Sequence, residues 1–95
     1  MKRRRQSGQM VSRILQIAHH RNGVCGAPFY AIMFRDMEGR QMLATLFDEP
    51  GYCAVVCVDV ETLTVDGVAM GANSWRGDQF EPELRAAVAA QEANR

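Results

Sequence analysis

The segment His19-His20-Arg21-Asn22-Gly23-Val24-Cys25-Gly26 gathers the residue types that could carry out nucleophilic chemistry. A cysteine between glycines is accessible, and Arg21 or a histidinium would lower its thiol pKa. With His19 or His20 as base, Cys25 would form a Cys–His nucleophilic pair or a redox-sensing thiol. Such a centre also needs a third, orienting group and an oxyanion site, and no motif here supplies either. The simpler reading is a β-turn at Asn22-Gly23, with both histidines at a strand end and Cys25 as a small apolar residue. No enzyme is expected.

The three cysteines, Cys25, Cys53 and Cys57, are an odd set, unlike the even, dense set of a secreted disulfide scaffold. Cys53 and Cys57 fall in an expected strand, where four residues span roughly 13 Å, too far for one ion to bridge both thiolates. The spacing is not that of a zinc site, so neither metal nor cofactor is expected. The Asn73-Ser74-Trp75-Arg76-Gly77-Asp78 segment holds the sole tryptophan beside an arginine. Trp75 and Arg76 have the composition of a binding hot spot, while the structural alternative has Trp75 capping the core. Arg76-Gly77-Asp78 also spells an integrin-binding tripeptide, which the intracellular cysteine pattern marks as coincidence.

Charge is the most informative feature. The 95 residues carry 11 Lys and Arg against 11 Asp and Glu, for a formal net charge of zero. Residues 1–35 nevertheless hold Lys2, Arg3, Arg4, Arg5, Arg13, Arg21 and Arg35 and no acid, while every acid lies from Asp36 onward. Such asymmetry is a recognised hint of contact with nucleic acid or another charged surface. Lys2 to Arg5 can neutralise phosphates through counterion release, but no interleaved aromatic offers base readout. The acids near expected turns, Asp48 and Glu49 among them, suit an exposed negative rim.

The elements that must position these residues follow from periodicity. Residues 1–9 read as a flexible basic arm and 10–95 as a single domain. In 10–20, Val11, Ile14, Leu15 and Ala18 would share a helical face, whereas a strand would turn Val11, Leu15 and Ile17 inward together with Arg13. The β-branched content and the Asn22-Gly23 turn favour the strand. Phe29–Asp36, Gln41–Asp48 and Tyr52–Val60 are apolar runs separated by turn residues, with a further short strand within Val65–Met70. Ala31 and Met33 alternate with Ile32 and Phe34, so both faces of the sheet should be at least partly covered. Gly71–Gln79 reads as a loop. Pro82 reads as the first residue of a helix over 82–93, with Leu84, Ala87, Val88 and Gln91 on one side. The expected fold class is α+β: an antiparallel meander of four to five strands with a C-terminal helix on one face.

The run HHRNGVCGAPFYAIMF with the later NSWRGDQFEP resembles a family of small bacterial proteins of unassigned function. The resemblance covers residues 14 to about 90, implies one compact domain, and attaches no activity, cofactor or catalytic residue. With no signal peptide or membrane span legible, a cytoplasmic protein is expected. The leading expectation is a non-catalytic binding module that recruits or blocks a macromolecular partner. A mobile-element accessory or an anti-CRISPR-like inhibitor of a nucleic-acid-handling complex fits that class. Its contact residues would be Lys2, Arg3, Arg4, Arg5, Arg21, Trp75 and Arg76. The alternatives are nucleic-acid binding through the arm, a thiol enzyme or sensor at Cys25 with His19 or His20, and a homo-oligomer that pairs the basic segment with the acidic body.

Overall fold

The computed structural model describes residues 9–24, 26–59, 64–66 and 77–94, with the side chains of Val24, Asp59 and Thr64–Asp66 left out. The chain forms β1 (Val11–Val24), β2 (Ala27–Asp36), β3 (Gln41–Phe47), β4 (Cys53–Asp59), β5 (Thr64–Asp66) and α1 (Gly77–Ala93). The strands make one sheet in chain order, each antiparallel to the next. The expected α+β meander is the observed fold. No helix among the described residues is long and apolar enough to cross a membrane.

Period-two alternation in β2 and β3 puts Ile32, Phe34, Met42, Ala44 and Leu46 on one face, all essentially inaccessible. Cys53 and Val55 extend that face into β4. Phe80 and Leu84 of α1 close it, with the Phe34 and Phe80 rings edge to face at 5.0 Å. The helix begins five residues before the expected Pro82, which therefore lies inside it on the exposed side. Pro82 removes one N–H from the second turn. Phe80, two residues earlier, is fully buried against the sheet. Gln79 and Gly77, expected in a loop, are helical, and burial of Gly77 disposes of the integrin-type reading. Gly71–Arg76 and the end of the expected Val65–Met70 strand lie outside the described residues.

β1 is a strand, and it explains its own ambiguity. Val11 opposes Asp36, Ile14 opposes Phe34 and Ile17 opposes Ile32, with register shifts between Val11 and Arg13 and between Ile14 and Gln16. Each shift inserts one residue. Two bulges thus turn a period of two into a spacing of three, and Val11, Ile14 and Ile17 all face the helix. Leu15, expected inward, is 39% exposed, and Arg13 is exposed as well.

The chain reverses between Val24 and Ala27, not at Asn22-Gly23. Val24 pairs with Ala27, and Gly26 adopts φ 80. Arg21, Asn22 and Gly23 lie opposite the single residue Pro28, which has no N–H to pair. Asn22-Gly23 is therefore spent on a bulge. Gly23 has φ 53, and a Cβ there would lie 1.7 Å from the Ala27 carbonyl oxygen.

Polar clamps hold the helix and the turns. Glu83 accepts from the Met10 and Val11 amides at 2.6 and 3.0 Å. Glu81 accepts from the Gly51 amide at 2.8 Å and from Arg85 Nε at 2.7 Å, and Arg85 donates to the Phe47 and Glu49 carbonyls. Asp36, 2% exposed, accepts from the Glu38 and Arg40 amides and from Arg40 Nε. Burial works against its charge, yet the Arg40 and Glu38 amides and the Arg40 guanidinium prevail and hold its carboxyl below its usual range.

A Cβ at Gly77 would lie 1.9 Å from the Cys53 carbonyl oxygen, so Gly77→Ala must push α1 off β4. We expect a loss of about 1–3 kcal/mol in urea unfolding, and an unchanged midpoint would contradict the close approach. Because the folded-state pKa of Asp36 is lowered, its contribution is present above the ordinary carboxylate value and is lost as pH falls through the folded value. Wild-type stability should fall between about pH 5 and pH 2, and Asp36→Asn should flatten that slope.

Candidate functional site

His19 and His20 are adjacent in sequence, and strand alternation sends them to opposite faces. His19 stacks on Tyr30 at 4.3 Å on the helix side, where the Tyr30 hydroxyl donates to Glu92 at 3.2 Å. His20 stacks on Phe29 at 4.9 Å on the other face, and Phe29 meets Phe47 at 5.7 Å. Both histidines are thereby engaged as cross-strand partners of aromatic rings, the pairing that stabilises sheets. They cannot act as a joint pair on one thiol. Cys25 itself lies outside the described residues.

Cys53 is fully buried, and burial pushes its thiol up to about 12, with the Glu81 carboxylate adding to the effect. A thiol so placed is a small core residue, inert as a nucleophile. Cys57 lies on the same face, opposite Met42. Among the described residues, no three His, Cys, Asp or Glu side chains are grouped to hold a metal ion.

The charged residues are sorted by the fold. Arg13, His19, His20 and Arg21 are exposed on β1, which among the described residues pairs only with β2 and so borders the sheet. Met10, at the head of that strand, is held by Glu83, which fixes where the chain from Lys2, Arg3, Arg4 and Arg5 joins the body. Those four residues, with Trp75 and Arg76, lie outside the described residues. Of the expected contact residues, Arg21 alone is placed, in the bulge opposite Pro28.

One feature escaped the sequence reading. The start of β2, the end of β3 and the turn before β4 enclose a cleft of about 670 Å³ lined by Ala27, Pro28, Phe47, Asp48, Glu49, Pro50 and Tyr52. Its walls are mostly apolar, with two exposed carboxylate side chains in the lining and Tyr52 46% exposed. Asp48-Glu49-Pro50-Gly51 reads in sequence as an ordinary turn. Only the register that sets Phe29 against Phe47 brings it beside Pro28. Arg85 braces this turn through the Phe47 and Glu49 carbonyls.

No family model, curated protein or solved structure matches the chain. Its chemistry must be read from its own geometry. Iodoacetamide at pH 8 should alkylate Cys53 only after unfolding, as peptide mass analysis would report. A native-state Cys53 adduct would contradict the inert-core reading.

Proposed function

We propose that the chain is a non-catalytic binding module that recruits or blocks a macromolecular partner by charge complementarity. The observation that carries this reading is the sorting of charge onto one border of the sheet. β1 is 14 residues long, flanked by a strand on one side alone among the described residues, and bears exposed Arg13, His19, His20 and Arg21. The segment with Lys2, Arg3, Arg4 and Arg5 leads directly into it.

The way β1 is built narrows the mode of capture. A regular free edge invites addition of another strand, but bulges interrupt a straight run of edge hydrogen bonds. With three register shifts along β1, side-chain charge rather than strand addition is the means of contact. The partner's surface is then anionic, a nucleic acid or an acidic protein face. A mobile-element accessory or an anti-CRISPR-like inhibitor is a role that such a small, charge-sorted module suits.

The second reading, direct nucleic-acid binding through the arm, draws on the same absence of acids in residues 1–35. The full chain separates the two in a nuclease-treated pull-down from the native host. A protein partner is retained by wild type and lost with Arg13→Glu/Arg21→Glu; retention by that variant removes β1 as the contact surface. If labelled DNA or RNA binds instead, affinity should fall steeply with salt. The same variant should then lower the slope of log K against log salt by roughly 2.

A further inference from the structure

The sheet has two apolar faces and one helix. α1 covers the face of Ile32, Phe34, Met42 and Leu46. The opposite face presents Phe29, Met33, Leu43, Phe47 and Val56, aligned across β2, β3 and β4 by the register. These side chains are half-buried by one another, and among the described residues no element packs over them. Both faces were expected to be covered; the helix covers one.

We infer that this face is the interface of a two-fold dimer, in which the Arg13–Arg35 end of one copy lies on the Asp48–Glu49 end of the other. The patch has the size. Strands about 4.8 Å apart and a rise of about 3.3 Å per residue give β1 to β4 a face of roughly 450 Å² in projection. Side-chain relief and the charged ends bring that toward the about 800 Å² per partner of a standard interface. A monomer rarely leaves a contiguous apolar patch of more than a few hundred Å² in water.

The charge pattern selects a second copy as the occupant. Arg13 and Arg35 are register partners at one end of the face, both exposed. At the other end, Phe29 pairs with Phe47, and the chain then turns through exposed Asp48 and Glu49. Among the described residues, Arg40 pairs with Asp36 and Glu38 and Arg85 with Glu81, while Arg35 also donates to the Gly39 carbonyl and Arg21 lies exposed in its bulge near the acidic end. A two-fold axis in the interface plane, perpendicular to the strands, lays each strand on its own copy and exchanges the ends, so the Arg13–Arg35 end of each copy meets the end that carries the other's Asp48 and Glu49. Packed sheets lie about 10 Å apart, within reach of those side chains at the rim. The apolar centre supplies the affinity and the ends fix the orientation. β1's outer border stays open; Arg13 then belongs to the dimer contact, and each of the two displayed edges offers His19 and Arg21 to a partner.

Sedimentation equilibrium of the full chain over the micromolar range tests the assignment. A dimer is expected, and Leu43→Asp, which puts a charge at the centre, should weaken it at least about 30-fold. Arg13→Glu/Arg35→Glu should weaken it too, and adding Asp48→Arg/Glu49→Arg in the same chain should restore it. All these positions are away from the helix-covered core, and circular dichroism confirms that each variant is folded. A wild-type monomer throughout, a dimer indifferent to Leu43→Asp, or an end reversal that is not rescued overturns the inference. Retention of the partner by Arg21→Glu with the dimer intact would instead remove the β1 reading alone.

Discussion

A single amphipathic helix has to close a five-stranded sheet, and most of the structure follows from that constraint. Phe80 and Leu84 sit over Ile32, Phe34, Met42 and Leu46, and the Phe34–Phe80 contact lies in this layer. Fully burying side chains of this size contributes about 1.5–3 kcal/mol each, so α1 must stay pressed on the sheet. Gly77 permits the approach, because any side chain there would collide with the Cys53 carbonyl. The same geometry leaves the far face without a helix.

Carboxylates on the helix do the rest of the positioning. Glu83 takes the Met10 and Val11 amides where β1 begins, and Glu81 with Arg85 takes the turn between β3 and β4. Burial opposes the charge on Glu81, but the Gly51 amide and Arg85 hold its carboxyl below its usual range. The helix thus touches both regions of functional interest: the root of the basic segment and the braced wall of the cleft. Asp36, Glu81 and Glu83 have structural work as clamps, whereas Asp48 and Glu49 are exposed. Charge sorting in the sequence is therefore only partly charge available to a partner.

Legibility varied with how local the determining physics was. The meander was readable because alternation in β2 to β4 is regular and the Glu38-Gly39 and Pro50-Gly51 turns punctuate it; Gly39 and Gly51 do adopt positive φ, 86 and 92. β1 was readable as a strand but its facing was not, since bulges at Ser12 and Leu15 mimic helical spacing, and bulges depend on the partner strand. Asn22-Gly23 carried a strong hairpin signal, but it lies opposite Pro28, which has no N–H to pair, and the reversal falls between Val24 and Ala27. Pro82 looked like a helix start until Phe80 proved to be core. The cleft had no local signature at all, because its walls come from two chain segments, Ala27–Pro28 and Phe47–Tyr52, that only the register brings together.

What residue order alone determined was the class of fold and the division of charge. Both are sums over local pattern: apolar alternation sets strands, and an acid-free first third makes a basic border wherever that segment lies. Tertiary structure decided which histidine faces which way, which cysteine is inert, where Phe47 and Tyr52 meet Pro28, and which sheet face the helix leaves open. Those outcomes depend on register and on the competition of two apolar faces for one helix, quantities that exist only once strands have paired.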